Sequence, residues 1–147
     1  MGKRVLLVDN DETVLCALEC LLGTMGYETE TAWSGAQAME LLRSQPFDLV
    51  LLDDQLSDAN AVELLQQLPS MYPLPPIVVT QNIPYSQRAA QRFLGLGASA
   101  VVAKCDLEEI AEVATTFAPQ PSAAKLPANG EGPLAREGPY IVARRIL

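Results

Sequence analysis

The chain contains, at residues 49–54, the run Leu49-Val50-Leu51-Leu52-Asp53-Asp54, in which four apolar residues are followed by two acids. A short continuous apolar run that stops at polar residues is typical of a strand buried on both faces of a parallel sheet. Residues 4–8 contain a second run of this kind, Val5-Leu6-Leu7-Val8, which also ends at an acid, Asp9. We therefore predict a sheet in which two buried strands each end at a carboxylate.

The hydrophobic pattern predicts that strands and helices alternate through the first 118 residues. Three further short runs predict strands, and a 3.6-residue rhythm of apolar residues predicts a helix after each strand. Such alternation requires right-handed crossovers and a parallel sheet covered by helices on both faces. We predict the α/β class and a flavodoxin-like (βα)5 doubly wound parallel sheet with strand order 2-1-3-4-5. The predicted strands are residues 4–8, 27–32, 49–52, 77–80 and 100–103, and the predicted helices are residues 14–25, 34–43, 60–68, 86–96 and 106–117.

Length and composition indicate a folded domain. The chain has 147 residues, of which 49% are hydrophobic and 19% charged. This length suits one core, and the apolar share argues against a disordered chain. No apolar run approaches the ~18 residues of a membrane span, and the N-terminus lacks the pattern of a secretory signal. We expect a cytoplasmic protein that does not insert into a membrane.

Charge and the absence of histidine exclude several functions. The formal net charge is −8, from 18 acidic and 10 basic residues. Phosphate backbones are held by clustered Lys and Arg, so this balance argues against direct binding of DNA or RNA. The lack of any histidine excludes Ser-His-Asp and Cys-His catalysis and His-ligated zinc. Chemistry in this chain must use carboxylates, hydroxyls and lysine.

The three cysteines, Cys16, Cys20 and Cys105, form no CxxC pair, and we expect them to be reduced. Cys16 and Cys20 lie one predicted helical turn apart. Because the sequence offers no histidine to join them in a metal site, we predict that both pack as small apolar residues.

Composition changes near residue 118. Residues 1–118 hold 6 basic and 16 acidic residues, for a net charge of −10, whereas residues 119–147 hold 4 basic and 2 acidic residues, for +2. Five prolines within residues 119–139 are typical of a linker, and residues 140–147 are apolar again. We predict a domain over residues 1–118 and, over 119–147, a Pro/Gly-rich linker with a short apolar tail. The tail is either flexible or docks on a sheet edge or on the mate in a homodimer.

Reactive groups cluster at the predicted strand ends. The functional crevice of an open α/β sheet lies at the carboxyl ends of its strands, where this chain has Asp9, Asp53, Thr80 and Lys104. Carboxylates at this density suit Mg²⁺, above all where a phosphoryl group shares the coordination sphere. A Thr hydroxyl and a Lys ammonium can donate hydrogen bonds to phosphoryl oxygens. We predict a phosphoryl-binding site whose nucleophile is a carboxylate.

Four motifs in this order resemble the receiver domain of response regulators in two-component signal transduction. Each motif alone is weak evidence, whereas the ordered set is specific, and the resemblance covers about residues 3–118. The motifs are residues 5–12, 48–53, 76–80 and 97–104.

The resemblance implies that Asp53 accepts a phosphoryl group from a phosphohistidine of a histidine kinase or histidine phosphotransfer protein. By motif position, Thr80 matches the switch hydroxyl of the family and Lys104 matches its phosphate-facing lysine. Phosphorylation in the family repacks the face made by helix 4, strand 5 and helix 5. The resemblance therefore implies a downstream protein partner at roughly residues 86–117.

The resemblance also implies a Mg²⁺ site. Asp9 and Asn10 stand where the family has its acidic pair, and Gln55 stands where a backbone carbonyl completes the metal shell. With Asp53 these residues form the implied ligand set. Because Asn10 replaces the second acid, we expect weaker Mg²⁺ binding unless Asp11 or Asp54 compensates.

Several other positions depart from the family pattern. Val101 stands where an aromatic switch residue is frequent, Ala61 where a turn glycine is usual, and Cys105 where a proline follows the lysine. Gln81 is larger than the small residue that usually follows the switch threonine. These departures motivate a second hypothesis, a pseudo-receiver that acts as a phosphorylation-independent protein-interaction module. A third, an enzyme that turns over its own phosphate ester, is disfavoured because no general acid and no substrate cap are evident. We therefore expect a signalling module and not an enzyme.

Overall fold

The structure is a computed structural model that describes residues 2–71, 73–82, 86–104 and 106–120. Within these residues, five strands alternate with five helices, and one 3-10 helix (Leu68–Ser70) follows the third helix. The strands are β1 (Arg4–Val8), β2 (Glu28–Ala32), β3 (Leu49–Asp53), β4 (Ile77–Gln81) and β5 (Ala100–Ala103), and the helices are α1 (Glu12–Thr24), α2 (Gly35–Ser44), α3 (Ala61–Gln67), α4 (Gln87–Gly95) and α5 (Leu107–Phe117).

The five strands form one parallel sheet in the order β2-β1-β3-β4-β5. The predicted α/β class, doubly wound topology and strand order are therefore confirmed. In register, Val5 of β1 pairs with Leu49 of β3, and Asp53 of β3 pairs with Thr80 of β4. The two strands that end at carboxylates are thus neighbours at the centre of the sheet.

Burial explains why the sequences of the strands differ. All five residues of β3 and all five of β4 are buried, because helices cover both faces of the central strands. The edge strand β2 has only Ala32 buried, and its sequence is correspondingly polar. The buried apolar residues form one core cluster with members from every strand and every α-helix.

Side-chain caps fix where the helices begin. Ser34 accepts a hydrogen bond from the Gln37 amide at the start of α2, and Asp106 accepts one from the Glu109 amide at the start of α5. Asn60 accepts a hydrogen bond from the Glu63 amide at the start of α3. These contacts satisfy amides that have no partner within their own helix. Of the helices in the described part of the chain, none is both long and apolar enough to cross a membrane.

Helix α1 corrects the prediction for its cysteines. Leu15, Leu18 and Leu22 form its buried stripe, whereas Cys16 and Cys20 are exposed free thiols. The prediction that the two cysteines pack in the core was wrong, because both project away from the leucine stripe.

The segment after α5 returns to the amino-terminal edge of the sheet. The Tyr27 hydroxyl donates a hydrogen bond to the Ala118 carbonyl at 2.8 Å, and the Lys3 amide donates one to Oε1 of Gln120 at 2.8 Å. Gln120 is 7% exposed. Most of the predicted linker and the whole apolar tail, residues 121–147, lie outside the described residues, and so does Cys105.

Candidate functional site

The carboxyl ends of neighbouring strands bring the predicted reactive residues together. Asp53 is the last residue of β3 and pairs with Thr80 on β4, while Asp9 follows β1 directly. Lys104 follows β5, and its amide donates to the Gln81 carbonyl of β4 at 2.8 Å. Asp9, Asp53, Thr80 and Lys104 therefore meet at one edge of the sheet although they come from four separate segments.

Lys104 bridges the two buried carboxylates. Its Nζ lies 3.1 Å from Oδ2 of Asp53 and 3.1 Å from Oδ2 of Asp9. The lysine side chain is 11% exposed, and those of Asp53 and Asp9 are 1% and 2% exposed. Exclusion of water strengthens such charge pairs but also makes each charge costly to bury.

Burial is the main influence on the acids of this site. It raises the pKa of both Asp9 and Asp53 above 3.8, the ordinary value of an aspartate. Burial disfavours the ammonium of Lys104, yet the Asp9 and Asp53 carboxylates outweigh it and raise the lysine pKa above its ordinary value. One lysine thus faces two acids, and the site carries more negative than positive charge.

Two carboxylate oxygens in the site can accept a further ligand. Oδ1 of Asp53 and Oδ2 of Asp9 are both buried. Neither accepts a hydrogen bond from the residues that the structure describes, although Oδ2 of Asp9 is ion-paired with Lys104. Buried acceptors normally have partners, so such atoms indicate where a cation or donor can bind. Hard oxygen ligands of this kind fit Mg²⁺.

The other residues of the implied Mg²⁺ site are less suited to bind the ion than Asp9 and Asp53. Asn10 and Gln55 are exposed beside the buried acids. Asp11 is committed elsewhere, because its carboxylate accepts hydrogen bonds from the Thr13 and Val14 amides and caps α1. Within the described ranges, no group of three or more His, Cys, Asp or Glu side chains is arranged to hold a metal ion. A complete shell would therefore need amide or backbone oxygens.

Asp54 occupies a different environment from Asp53. Its amide donates to the Thr80 carbonyl at 3.1 Å, and Oδ1 of its carboxylate accepts a hydrogen bond from Nδ2 of Asn82 at 3.3 Å. Burial raises the pKa of Asp54 as well. Of the two adjacent acids, Asp53 is the one that lies beside Lys104.

The loop after β3 is fastened to α2 by Asp58, a contact that the sequence analysis missed. The Asp58 carboxylate accepts hydrogen bonds from the Gly35 amide at 2.8 Å and the Ala36 amide at 3.0 Å. These bonds lower the pKa of Asp58 below its ordinary value. The acid caps a helix that begins 23 positions earlier in the chain, and no local motif signals such a pairing.

Gln81, one of the departures from the family pattern, connects β4 to the start of α4. Its side chain is buried, and Oε1 accepts a hydrogen bond from the Ser86 amide at 2.8 Å. The larger side chain thus holds the residue that caps α4, since Ser86 itself accepts from the Ala89 amide.

Comparison with known proteins agrees with this geometry. The family model of the response regulator receiver domain matches residues 5–115. The chain belongs to the receiver domain family. Receiver domains are signalling modules of two-component phosphorelays, and they generally bind Mg²⁺ at the phosphorylated aspartate.

Relatives of known name include both kinases and regulators. The signal transduction histidine-protein kinase BarA of Escherichia coli (strain K12) is 36% identical over 112 residues, which make up 74% of this chain and 12% of that protein. The response regulator GtcR of Aneurinibacillus migulanus is 28% identical over 100 residues, or 68% of this chain and 40% of that protein. The chain thus spans less than half the length of either relative.

Solved receiver structures share the fold. A response regulator structure from Chloroflexus aurantiacus has a TM-score of 0.74 and 23% identity, and the match covers 80% of this chain and 98% of that one. The response regulator TrrA of Thermotoga maritima, solved in complex with Mg²⁺ and BeF, has a TM-score of 0.69 and 25% identity, with coverage of 78% and 98%.

Proposed function

We propose that this receiver domain is phosphorylated on Asp53 by a histidine kinase or histidine phosphotransfer protein and signals through protein contacts. A carboxylate oxygen of Asp53 attacks the phosphorus of a phosphohistidine on the partner, and a new O–P bond forms as the P–N bond breaks. The electron pair of that bond goes to the imidazole, which takes up a proton. The product is an aspartyl phosphate, which water hydrolyses back to the carboxylate.

The observation that carries this proposal is the position of Lys104. Its Nζ lies 3.1 Å from Asp53 and 3.1 Å from Asp9, at a site that excludes most water. An ammonium held there is close enough to pair with the phosphoryl oxygens as they arrive. Thr80 is the register partner of Asp53 on the neighbouring strand, and its hydroxyl is proposed to donate a hydrogen bond to the same phosphoryl group.

The buried carboxylate oxygens of Asp9 and Asp53 that accept no hydrogen bond support a Mg²⁺ site at this position. The proposed ligands are Asp9, Asn10, Asp53 and the Gln55 backbone carbonyl. When bound, Mg²⁺ would neutralise charge on the phosphoryl oxygens. Asp9 holds its carboxylate in place partly by accepting a hydrogen bond from the Asp11 amide at 2.8 Å. Lys104 keeps the two acids together when no cation is present.

We further propose that the receiver spans residues 1–118, with a linker and tail at 119–147, and acts without substrate turnover of its own. The downstream partner would contact roughly residues 86–117, which include α4 and α5. The same face, or the apolar tail, could join two copies in a homodimer.

A second candidate function is a pseudo-receiver that binds its partner without phosphorylation. The observation that favours it is the incomplete metal shell, since an exposed Asn10 replaces an acid and Asp11 is committed to capping α1. Weak Mg²⁺ binding would then keep phosphorylation too slow to act as a switch.

Intact-mass spectrometry separates the two candidates. The full chain is incubated with Mg²⁺ and acetyl phosphate, or with a histidine-phosphorylated donor protein, beside Asp53→Asn and Asp54→Asn. A phosphoryl adduct that is lost in Asp53→Asn and retained in Asp54→Asn supports the switch. An adduct lost only in Asp54→Asn would show that Asp54, and not Asp53, is the phosphorylated residue. The absence of any adduct at high Mg²⁺ would favour the pseudo-receiver.

A further inference from the structure

A groove of about 410 Å³ lies between α3 and α4, next to the loop that follows Asp53. We call it the arginine groove, because Arg88 and Arg92 of α4 line one wall. Val62 of α3 lines it as well, and Gln55 and Asp54 lie at the end nearest the phosphorylation site. Its α4 residues fall within residues 86–117, the range proposed above for the downstream partner, and Val62 of α3 extends the groove beyond that range.

The two arginines are exposed cations without an ion-pair partner among the residues that the structure describes. By contrast, Arg4 lies near Glu28 and Glu30, and Lys104 is held by two buried acids. Residues 1–118 have 6 basic side chains in all, and two of them line this groove against one acid, Asp54, so the groove is a patch more positive than the rest of this acidic domain. Such a patch attracts an anionic partner while the rest of the surface repels it.

The groove also offers apolar surface beside the charges. Phe93, which is 6% exposed, and Ala89 line the groove together with the two arginines and Val62. Arg88 and Arg92 are one helical turn apart, so their positions differ by about 6 Å along the helix axis. The matching ligand has two carboxylates at that spacing and an aliphatic or aromatic side chain between or beside them.

We propose that the arginine groove binds an acidic, partly apolar segment of a partner protein. A segment with Glu or Asp one helical turn apart satisfies both arginines, and its apolar side chain covers Phe93 and Val62. Nucleic acid does not fit, because a domain of net charge −10 repels a polyanion beyond these two contacts. The groove is already open in this structure, so the proposal can be tested on the unphosphorylated chain.

The probe is a fluorescein-labelled 12-residue peptide, built on Ala, with two Glu residues one helical turn apart and Leu residues beside them. Its fluorescence anisotropy is titrated with the full unphosphorylated chain at about 50 mM and about 500 mM salt, since screening weakens exposed charge pairs. We expect saturable binding that weakens severalfold at the higher salt, and no binding of the same peptide with Lys in place of Glu.

Charge-matched variants locate the contact. Arg88→Glu and Arg92→Glu should each weaken peptide binding about tenfold, a difference of about 1.4 kcal/mol. Arg43→Glu makes the same charge change on the exposed surface of α2 and should leave affinity within about twofold. All three positions are exposed, and circular dichroism melting checks that each variant is folded.

Three results would overturn the proposal. The first is no binding of the Glu peptide at low salt, and the second is an equal loss of affinity in Arg43→Glu. The third is tighter binding to phosphatidylserine vesicles than to the peptide, which would make the patch a lipid-binding surface. Amide chemical shifts supply a direct readout, because peptide-induced shifts at Val62, Ala89 and Phe93 support the groove and shifts confined to α5 contradict it.

Discussion

At the scale of single residues, the site is a balance between burial and charge. Asp9 and Asp53 are almost fully buried, and burial raises the pKa of each. Lys104 compensates part of their charge, and Asp54 adds to the repulsion at Asp53. A site of this kind favours ligands that bring positive charge, and it stabilises the fold less than a fully paired network would.

Stability should fall as pH rises through the acid range. An acid whose pKa is higher in the folded than in the unfolded state stabilises the fold at low pH, and that contribution is lost as pH rises from the unfolded value of 3.8 through the folded pKa. Asp53→Asn should flatten this decline and raise the free energy of unfolding at pH 7 by about 1 kcal/mol. Urea denaturation in EDTA at a series of pH values from 3.8 up to neutral measures both effects.

The control for this prediction is Glu19→Gln, which neutralises an exposed acid on α1. It should leave the decline of unfolding free energy with pH unchanged, and it should change the free energy of unfolding at pH 7 by no more than about 0.5 kcal/mol. If the stability of Asp53→Asn fell at pH 7 instead, the paired charge of Asp53 with Lys104 would outweigh its burial.

At the scale of elements, side chains from distant segments hold the beginnings of two helices. Asp58 from the loop after β3 caps α2, and Gln81 at the end of β4 holds Ser86, which caps α4. Both contacts lie on the edge of the sheet that carries Asp53. The helices there are therefore tied to the loops that surround the site.

Removal of the Asp58 cap should loosen α2. Asp58→Ala deletes acceptors for the Gly35 and Ala36 amides and should lower the free energy of unfolding by about 0.5 to 1 kcal/mol, the lower part of the range for caps because the site is exposed. Since the Asp58 pKa is lowered in the fold, the difference from wild type should be present near neutral pH and disappear as pH falls through the folded pKa. Urea denaturation at pH 7 and at pH values below 3.8 measures this difference, with Glu40→Ala on the exposed face of α2 as the control.

Removal of the Gln81 side chain should release the start of α4. Gln81→Ala leaves the Ser86 amide without its acceptor and opens space in the core, so we expect a loss of about 1 to 3 kcal/mol. Hydrogen exchange should accelerate at the Ala90 amide, which donates to the Ser86 carbonyl. Gln87→Ala, at an exposed position of the same helix, should leave exchange unchanged. Equal protection in both variants would mean that α4 does not depend on Gln81.

At the scale of the whole molecule, the two ends of the described chain are joined. Tyr27, the residue before β2, donates to the Ala118 carbonyl, and Gln120 accepts from the Lys3 amide. The segment after α5 therefore closes over the amino-terminal edge of the sheet, opposite the carboxylate site. Burial raises the pKa of Tyr27 to about 12.

The hydrogen bond from the Tyr27 hydroxyl to the Ala118 carbonyl should be lost at high pH. Because the Tyr27 pKa is higher in the folded state, its contribution is intact below pH 10 and is lost as pH rises from 10 toward about 12. Tyr27→Phe should cost about 1 kcal/mol at pH 7 and reduce the further loss of stability in that alkaline range. Thermal melts from pH 7 to 11 measure it, and pH 11 lies roughly midway through that titration.

Gln120→Ala is the matched control, because it removes the hydrogen bond from the Lys3 amide in the same segment and keeps the tyrosine. Its alkaline decline should match that of wild type. A decline of equal size in Tyr27→Phe would show that another group is responsible.

The sequence by itself determined the alternation of elements and the identity of the residues at the strand ends. Short apolar runs bounded by polar residues, such as 49–52, are typical of buried strands, and the polar sequence of 28–32 matches its edge position. Caps such as Ser34 and Asp106 could also be predicted, because a helix start depends on contacts three residues apart.

Tertiary structure alone decided the contacts between distant segments. Lys104 contacts Asp9 and Asp53, which lie on other strand ends, and Asp58 caps the distant helix α2. Arg88 and Arg92 of α4 line one groove with Val62 of α3. Local patterns carry no information on such pairs, since they depend on strand order and on how each helix packs. The exposed Cys16 and Cys20 make the same point, because which face of α1 is buried depends on the sheet beneath it.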